Sequence, residues 1–167
     1  MRFGGGDAGE TFQLVLVSDT PPRSTRPLKP SSARCGIRAW ETCTLPAAGA
    51  RPRRMAYGAD GSIYYTDYPR GMLGRLDPQS GKVTEWPSPG GPKSEPYGIV
   101  FAKGVIWYSE SGTRPNTIVR FDPKAETFQT WAIPSGGYIV RKMDVTPDGN
   151  PVIATSIVNG VGLVEVK

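Results

Sequence analysis

The sequence predicts an all-β chain built from antiparallel strands in repeated units, and three observations lead there. Landmarks recur at one period: Asp77-Pro78 returns as Asp122-Pro123 and Trp86 as Trp131, each 45 residues on, while Gly61 returns as Gly104 and Gly149. Arg53-Arg54-Met55, Tyr97-Gly98-Ile99 and Arg141-Lys142-Met143 fall 44 residues apart twice. Gly and Pro together make 38 of the 167 residues, so turns dominate, and no window of helical length carries a 3.6-residue apolar period. A period of about 40–50 residues filled with short strands is that of a β-propeller blade. The expected architecture is an incomplete propeller of about three four-stranded blades, spanning residues 51–94, 95–138 and an incomplete 139–167.

The first unit reads as strands over Arg54–Tyr57, Ser62–Asp67, Met72–Leu76 and Lys82–Trp86. Turns at Asp60-Gly61 and Asp77-Pro78-Gln79-Ser80-Gly81 separate them; glycine supplies positive φ there and proline presets the first corner. The second unit repeats the pattern with Tyr97–Phe101, Val105–Ser109, Thr117–Phe121 and Phe128–Ile133. The third supplies Arg141–Val145, a turn at Asp148-Gly149, Pro151–Thr155 and Gly162–Val166, and lacks a fourth strand.

Residues 1–50 read as a degenerate segment carrying two remnant blade strands, 12–17 and 40–45. Glu10-Thr11-Phe12-Gln13 is identical to Glu126-Thr127-Phe128-Gln129, so Phe12–Val17 is expected to be a spare fourth-type strand that completes the third unit or forms a blade remnant. Between the two remnants, Pro21–Arg38 is rich in Pro, Arg, Ser and Lys without strand pattern, and is expected to be poorly ordered or a linker. The unit that stops short and the damaged first third together suggest a piece of a longer propeller. Three blades do not enclose a channel, so further blades or other copies of the chain are the expected partners in closing one.

Charge and composition remove several function classes. The net +5 sits wholly in residues 1–54, with nine basic and four acidic side chains, while residues 55–167 hold eleven of each sign. Those basic residues lie among Pro and Ser rather than at strand spacing between aromatics, which argues against nucleic-acid binding. No histidine is present, which excludes imidazole general bases, triads and His ligands within these residues. Cys35 and Cys43 stand alone, without the second pair a structural zinc needs. The longest apolar run, Tyr97 to Ala102, falls far short of the ~20 residues of a membrane helix, and Asp7 interrupts the start where an export signal needs an apolar stretch. No membrane partner is expected, and no compartment is legible.

The blade wording is more specific than the period. Gly61-Ser62-Ile63-Tyr64-Tyr65-Thr66-Asp67, Leu73-Gly74-Arg75-Leu76-Asp77-Pro78 and Thr84-Glu85-Trp86-Pro87 close one unit; Glu95-Pro96-Tyr97-Gly98-Ile99 opens the next, continuing to Ile106-Trp107-Tyr108-Ser109-Glu110. This resembles the repeat of the virginiamycin B lyase (streptogramin B lyase) family over residues 50–167, and more weakly over 1–20. The resemblance implies a seven-bladed propeller that linearises cyclic streptogramin B depsipeptides by magnesium-assisted C–O elimination. It further implies channel-facing histidines in the slot that opens each blade, and glutamates near the end of the Trp-Phe-Thr-Glu strand.

In this chain the histidine slots hold Arg53, Tyr97 and Arg141, and the glutamate slots hold Asp67, Glu110 and Thr155. The general base is therefore replaced, which predicts an inactive lyase; Tyr97 and Glu110 are the catalytic candidates that remain for proton transfer, and magnesium is implied by the resemblance only. The rival expectation is a non-catalytic binding or scaffold module whose ligand-binding set is Arg53, Tyr97, Arg141, Asp67 and Glu110. Two guanidiniums flanking a phenol suit a carboxylate or phosphate and repel a divalent cation. A competing arrangement has Asp67 and Glu110 neutralise the arginines as an ion-pair ring. Tyr64, Tyr65, Trp107 and Tyr108 are expected to pack between blades, Arg75 and Arg120 to pair with turn carboxylates, and Asp77 and Asp122 to hold turns. Ile63, Tyr65 and Ile118 are expected to be exposed on the outer blade faces, leaving a poorly soluble chain.

Overall fold

A computed structural model describes residues 45, 47–157 and 159–166; Cys35, Cys43 and the two remnant strands over 12–17 and 40–45 lie outside them, apart from Leu45. The described residues are all strand and turn, with no helix long and apolar enough to cross a membrane. Eleven strands form three antiparallel sheets. The first is a meander of β1 (Pro52–Tyr57), β2 (Ile63–Asp67), β3 (Met72–Leu76) and β4 (Val83–Pro87). The second repeats it with β5 (Pro96–Ala102), β6 (Val105–Glu110), β7 (Thr117–Asp122) and β8 (Thr127–Ala132). The third has three strands, β9 (Val140–Val145), β10 (Pro151–Thr155) and β11 (Gly160–Leu163). The innermost strands β1, β5 and β9 stand side by side, the arrangement of successive blades around part of a propeller, open rather than closed.

Local chemistry fixes the hairpins. Gly58 N donates to Ser62 O at 2.9 Å around Asp60-Gly61, and Thr146 N donates to Asn150 O at 2.9 Å around Asp148-Gly149. Asp77 Oδ1 accepts from Gln79 N at 2.8 Å, and Asp122 Oδ1 accepts from Lys124 N at 2.9 Å. Both carboxyls are held below the ordinary aspartate range, Asp77 chiefly by the Ser80 hydroxyl and Asp122 by the Lys124 and Ala125 amides. The turns then close through a left-handed residue, Gly81 at φ 70° in the first sheet and Glu126 at φ 54° in the second.

Packing between sheets is aromatic and aliphatic. Tyr64 and Leu73 of the first sheet interlock with Ile99, Ile106, Tyr108, Val119 and Phe121 of the second. Trp107, Ile118, Ala102 and Val105 of the second meet Val140, Met143 and Ile153 of the third. Hydroxyls clasp neighbouring blades: buried Thr66 donates to Tyr97 O at 2.7 Å, and buried Ser109 donates to Val140 O at 2.9 Å.

Two expectations are corrected. Ile63, Tyr65 and Ile118 are buried, not exposed: Ile63 packs with Leu76 and Val83, Ile118 joins the core between the second and third sheets, and Tyr65 lies flat on Gly74. Tyr65 also donates to Glu85 Oε1 at 2.8 Å, and burial followed by that contact raises its pKa. The large apolar side chains that do reach solvent include Met55, Tyr57, Trp131, Val161 and Leu163. The last strand runs over Gly160–Leu163 rather than Gly162–Val166, because Thr155 Oγ1 donates to Gly160 O at 2.8 Å and closes the hairpin early.

Candidate functional site

Each innermost strand carries an irregularity at the same place. Pairing of β1 with β2 shifts between Pro52 and Arg54, pairing of β5 with β6 between Pro96 and Ile99, and pairing of β10 with β9 between Ile153 and Thr155, opposite Met143 and Val140. Arg53 falls in the first break, Tyr97 and Gly98 in the second, and Arg141 and Lys142 in the third. A bulge frees a residue from the ladder and re-aims its side chain, which is how sheets present functional groups at a rim. Periodicity thus places the three residues in equivalent slots, and each slot coincides with a break in the ladder.

Around them the structure builds a chain of cations and rings. The Arg53 guanidinium lies 5.2 Å from the Tyr68 ring centre, Tyr68 meets Tyr97 edge-on at 5.5 Å, and the Arg54 guanidinium lies 5.4 Å from the Tyr97 ring. Arg54 Nε donates to Arg141 O at 3.0 Å, reaching from the first sheet past the second to the third. Tyr68 donates to Glu95 Oε2 at 2.7 Å, and burial with that carboxylate pushes its pKa up to about 12. The phenol therefore stays a donor at neutral pH. Among the described residues, none of Arg53, Arg54, Arg141 or Lys142 forms an ion pair.

Asp67 and Glu110 are not brought to this cluster, and they form no ion-pair ring with Arg53 and Arg141. Asp67 is fully buried and accepts from Arg51 N at 3.2 Å and from Arg70 Nε at 2.6 Å; Arg70 also pairs with Glu85. Glu110 is 1% exposed and accepts from Ser88 Oγ at 2.6 Å, Gly90 N at 2.7 Å and Thr117 Oγ1 at 2.5 Å. Both carboxylates are buried, and each of their oxygens accepts at least one hydrogen bond. Of the candidates, Arg53 and Tyr97 meet through Tyr68, and the Arg141 backbone is tied to them by Arg54; Asp67 and Glu110 brace the sheets. Arg54, Tyr68 and Glu95 join that cluster as well. Tyr68 and Glu95 carry no signal in the repeat, since Ser111 of the second unit and Ile139 of the third stand at the matching places.

The donor set also answers the magnesium implied by resemblance. Among the described residues no three carboxylate, cysteine or histidine side chains converge, and the axis-side face presents guanidiniums where a hard cation needs oxygen ligands. The residues present there do not fit the ion.

Arg120 pairs with Asp122 at 3.9 Å, as expected of a strand-end arginine beside a turn carboxylate. A cavity of about 820 Å³ lies away from the cationic face, between the outer strands of the second and third sheets.

No family model matches the chain, and no curated protein matches it. Solved structures do. The chain is similar to selenomethionine-substituted virginiamycin B lyase from Staphylococcus aureus at 20% identity and a TM-score of 0.63, covering 76% of this chain and 45% of that one. It is similar to a catalytically inactive variant of the same lyase with quinupristin at 20% identity and a TM-score of 0.62, covering 74% and 44%. A luciferin-regenerating enzyme matches at 15% identity and a TM-score of 0.50, over 68% and 39%. The chain therefore has the propeller-repeat fold of these structures and spans under half the length of each.

Proposed function

We propose that this chain is a propeller-repeat module that binds an anionic small molecule at the face formed by Arg53, Arg54, Tyr97 and Arg141, and that it does not carry out the elimination named for its lyase-like fold. One observation carries the reading: the residues of all three blade-opening slots fall in breaks of the ladder, and Arg53, Arg54 and Arg141 have no carboxylate partner among the described residues. Guanidiniums offer paired N–H donors to carboxylate or phosphate, and the phenol adds a further donor. With no histidine in the sequence, proton abstraction falls to Tyr97, whose ring is spanned by the Arg54 cation, or to Glu110, whose oxygens are occupied.

The lyase reading rests on fold similarity to virginiamycin B lyase. Two measurements separate the readings. Calorimetric titration of the chain with inorganic phosphate is expected to give saturable binding that weakens with salt, and at least about tenfold weaker binding in Arg53→Gln/Arg141→Gln. Incubation with quinupristin and magnesium, followed by mass spectrometry, is expected to leave the depsipeptide ring closed. Ring opening above the blank sinks the binding-only reading, and phosphate heats unchanged by the double substitution sink the site.

A further inference from the structure

Among the described residues the third sheet ends at β11, beside an apolar groove, and the first junction of the molecule shows what such a groove holds when filled. Trp86 of β4 turns towards the second sheet, where its ring lies 4.8 Å from Phe121, which itself meets Phe128 of β8 at 4.7 Å. Trp86 Nε1 donates to Glu126 Oε2 at 3.3 Å. The fourth strand of the second sheet and the turn before it thus supply two covers for this indole, a phenylalanine and a carboxylate two residues apart.

Trp131 is the same residue one repeat later, and at the second junction the described residues supply no such covers. It is 48% exposed and stacks on Trp107, 5.8 Å away, at the wall of the 820 Å³ cavity. The other wall is β11 and its continuation, with Gly162 and Val164 lining the space. Trp107 lines it too, and its buried Nε1–H has no acceptor among the described residues.

Among the described residues no strand pairs with the outer edge of β11. Val164 N donates to Pro151 O at 2.8 Å, so alternate positions Gly162 and Gly160 also face β10. The N–H and C=O groups of Val161 and Leu163 consequently point outward, an open template for one more strand.

We propose that this groove is the docking site for the chain's own segment Glu10–Val17, added antiparallel to β11 as the fourth strand of the third sheet. Glu10-Thr11-Phe12-Gln13 carries the glutamate and the phenylalanine at the spacing of Glu126 and Phe128. Transferring the pairing of β7 with β8 sets Phe12 opposite Val164, Leu14 opposite Gly162 and Leu16 opposite Gly160. That register turns Phe12, Leu14 and Leu16 into the groove against the Trp131 wall, and brings Glu10 to the Trp131 indole as Glu126 stands to Trp86. The two glycines of β11 leave room for the leucines opposite them.

Hydrogen exchange on the full chain tests the assignment. The amides of Val161 and Leu163 are expected to exchange at least about 100-fold more slowly in the wild type than in Val15→Pro, which removes the amide that the register sets against Val161 and kinks the added strand. Protection at Trp107 and Tyr108 in the same spectra shows that the variant stays folded. Phe12→Ala is the milder variant: it is expected to raise acrylamide quenching of the tryptophan emission, by an increment absent in the Trp131→Phe background. Val161 and Leu163 amides that exchange at the unprotected rate in the wild type overturn the proposal. So does protection that grows with protein concentration, which would assign the strand to a second copy. Failure of phosphate binding at the axis-side face leaves these amides unaffected, so the two proposals stand or fall separately.

Discussion

Replacing Glu110 by alanine is expected to destabilise the chain by about 3 kcal/mol while leaving anion binding at the axis-side face in place. The magnitude follows from what its carboxylate holds. Ser88 Oγ, Gly90 N and Thr117 Oγ1 all converge on a side chain that is 1% exposed. Hydrogen bonds to a charged group contribute roughly 1.5–3 kcal/mol each, and a stranded buried donor costs about 1–3 kcal/mol. Two donors have a second partner: Ser88 Oγ lies 2.7 Å from the Tyr108 hydroxyl, and Thr117 Oγ1 lies 3.4 Å from Thr113 Oγ1. Gly90 N–H has no such alternative, so the loss approximates one orphaned donor and two weakened bonds. Ser88 and Gly90 follow β4, so the substitution also loosens the first sheet from the second. Urea unfolding of both chains, with the m-value checked for constancy, reads the difference. A variant within about 0.5 kcal/mol of the wild type refutes the bracing role. It would return Glu110 to the status of a residue kept for chemistry, since such residues are often replaced without loss of stability.

The remaining predictions concern neighbouring elements. Gly74→Ala puts a methyl into the Tyr65 ring that covers it, and is expected to cost about 2–3 kcal/mol, measured by thermal unfolding. Arg70→Ala strands fully buried Asp67 with one backbone donor, and is expected to cost about 3 kcal/mol, measured by urea unfolding. Tyr68 has a raised folded pKa of about 12 against about 10 unfolded, so its contribution is whole below pH 10 and is lost between roughly pH 10 and 12. Ultraviolet titration is expected to show, among the late tyrosine steps, one that moves earlier in Glu95→Gln while that of buried Tyr65 does not. Asp77 and Asp122 have depressed folded values, so their contribution is present above the unfolded pKa of about 4 and fades as acid takes the pH through the folded value, seen as a falling melting temperature that Asp77→Asn flattens.

The strands were legible where local chemistry decides them. Asp77-Pro78 and Asp122-Pro123 open identical turns, with backbone amides on the same carboxylate oxygen, and the strand after each turn starts within one residue of its expected place. The period then carried the sheet order, because each unit closes on itself through hairpins. Prediction slipped where tertiary contacts override local preference. The last strand begins at Gly160, a residue without strand preference, because the Thr155 hydroxyl fixes the hairpin there. Tyr65 is buried although it belongs to an outer face, because Gly74 lets the ring lie flat on the sheet and Glu85 takes its hydroxyl.

The candidate site divides along the same line. Equivalence of Arg53, Tyr97 and Arg141 is a one-dimensional fact, available from the repeat alone. What makes them a site is the shift in register beside each, and register is a relation between two strands that no single strand encodes. Asp67 and Glu110 show the converse. Their slot matches the glutamates of a lyase blade, yet the side chains at slot ends turn inward, because Arg70 and Ser88 offer buried partners that outcompete solvent. Arg54 could not be read at all: it differs from Arg53 only by alternation, and the carbonyl it bridges lies 87 residues away. A slot inherited from a repeat therefore fixes where a side chain leaves the backbone; the partners folded against it fix whether that side chain meets a ligand or a neighbour.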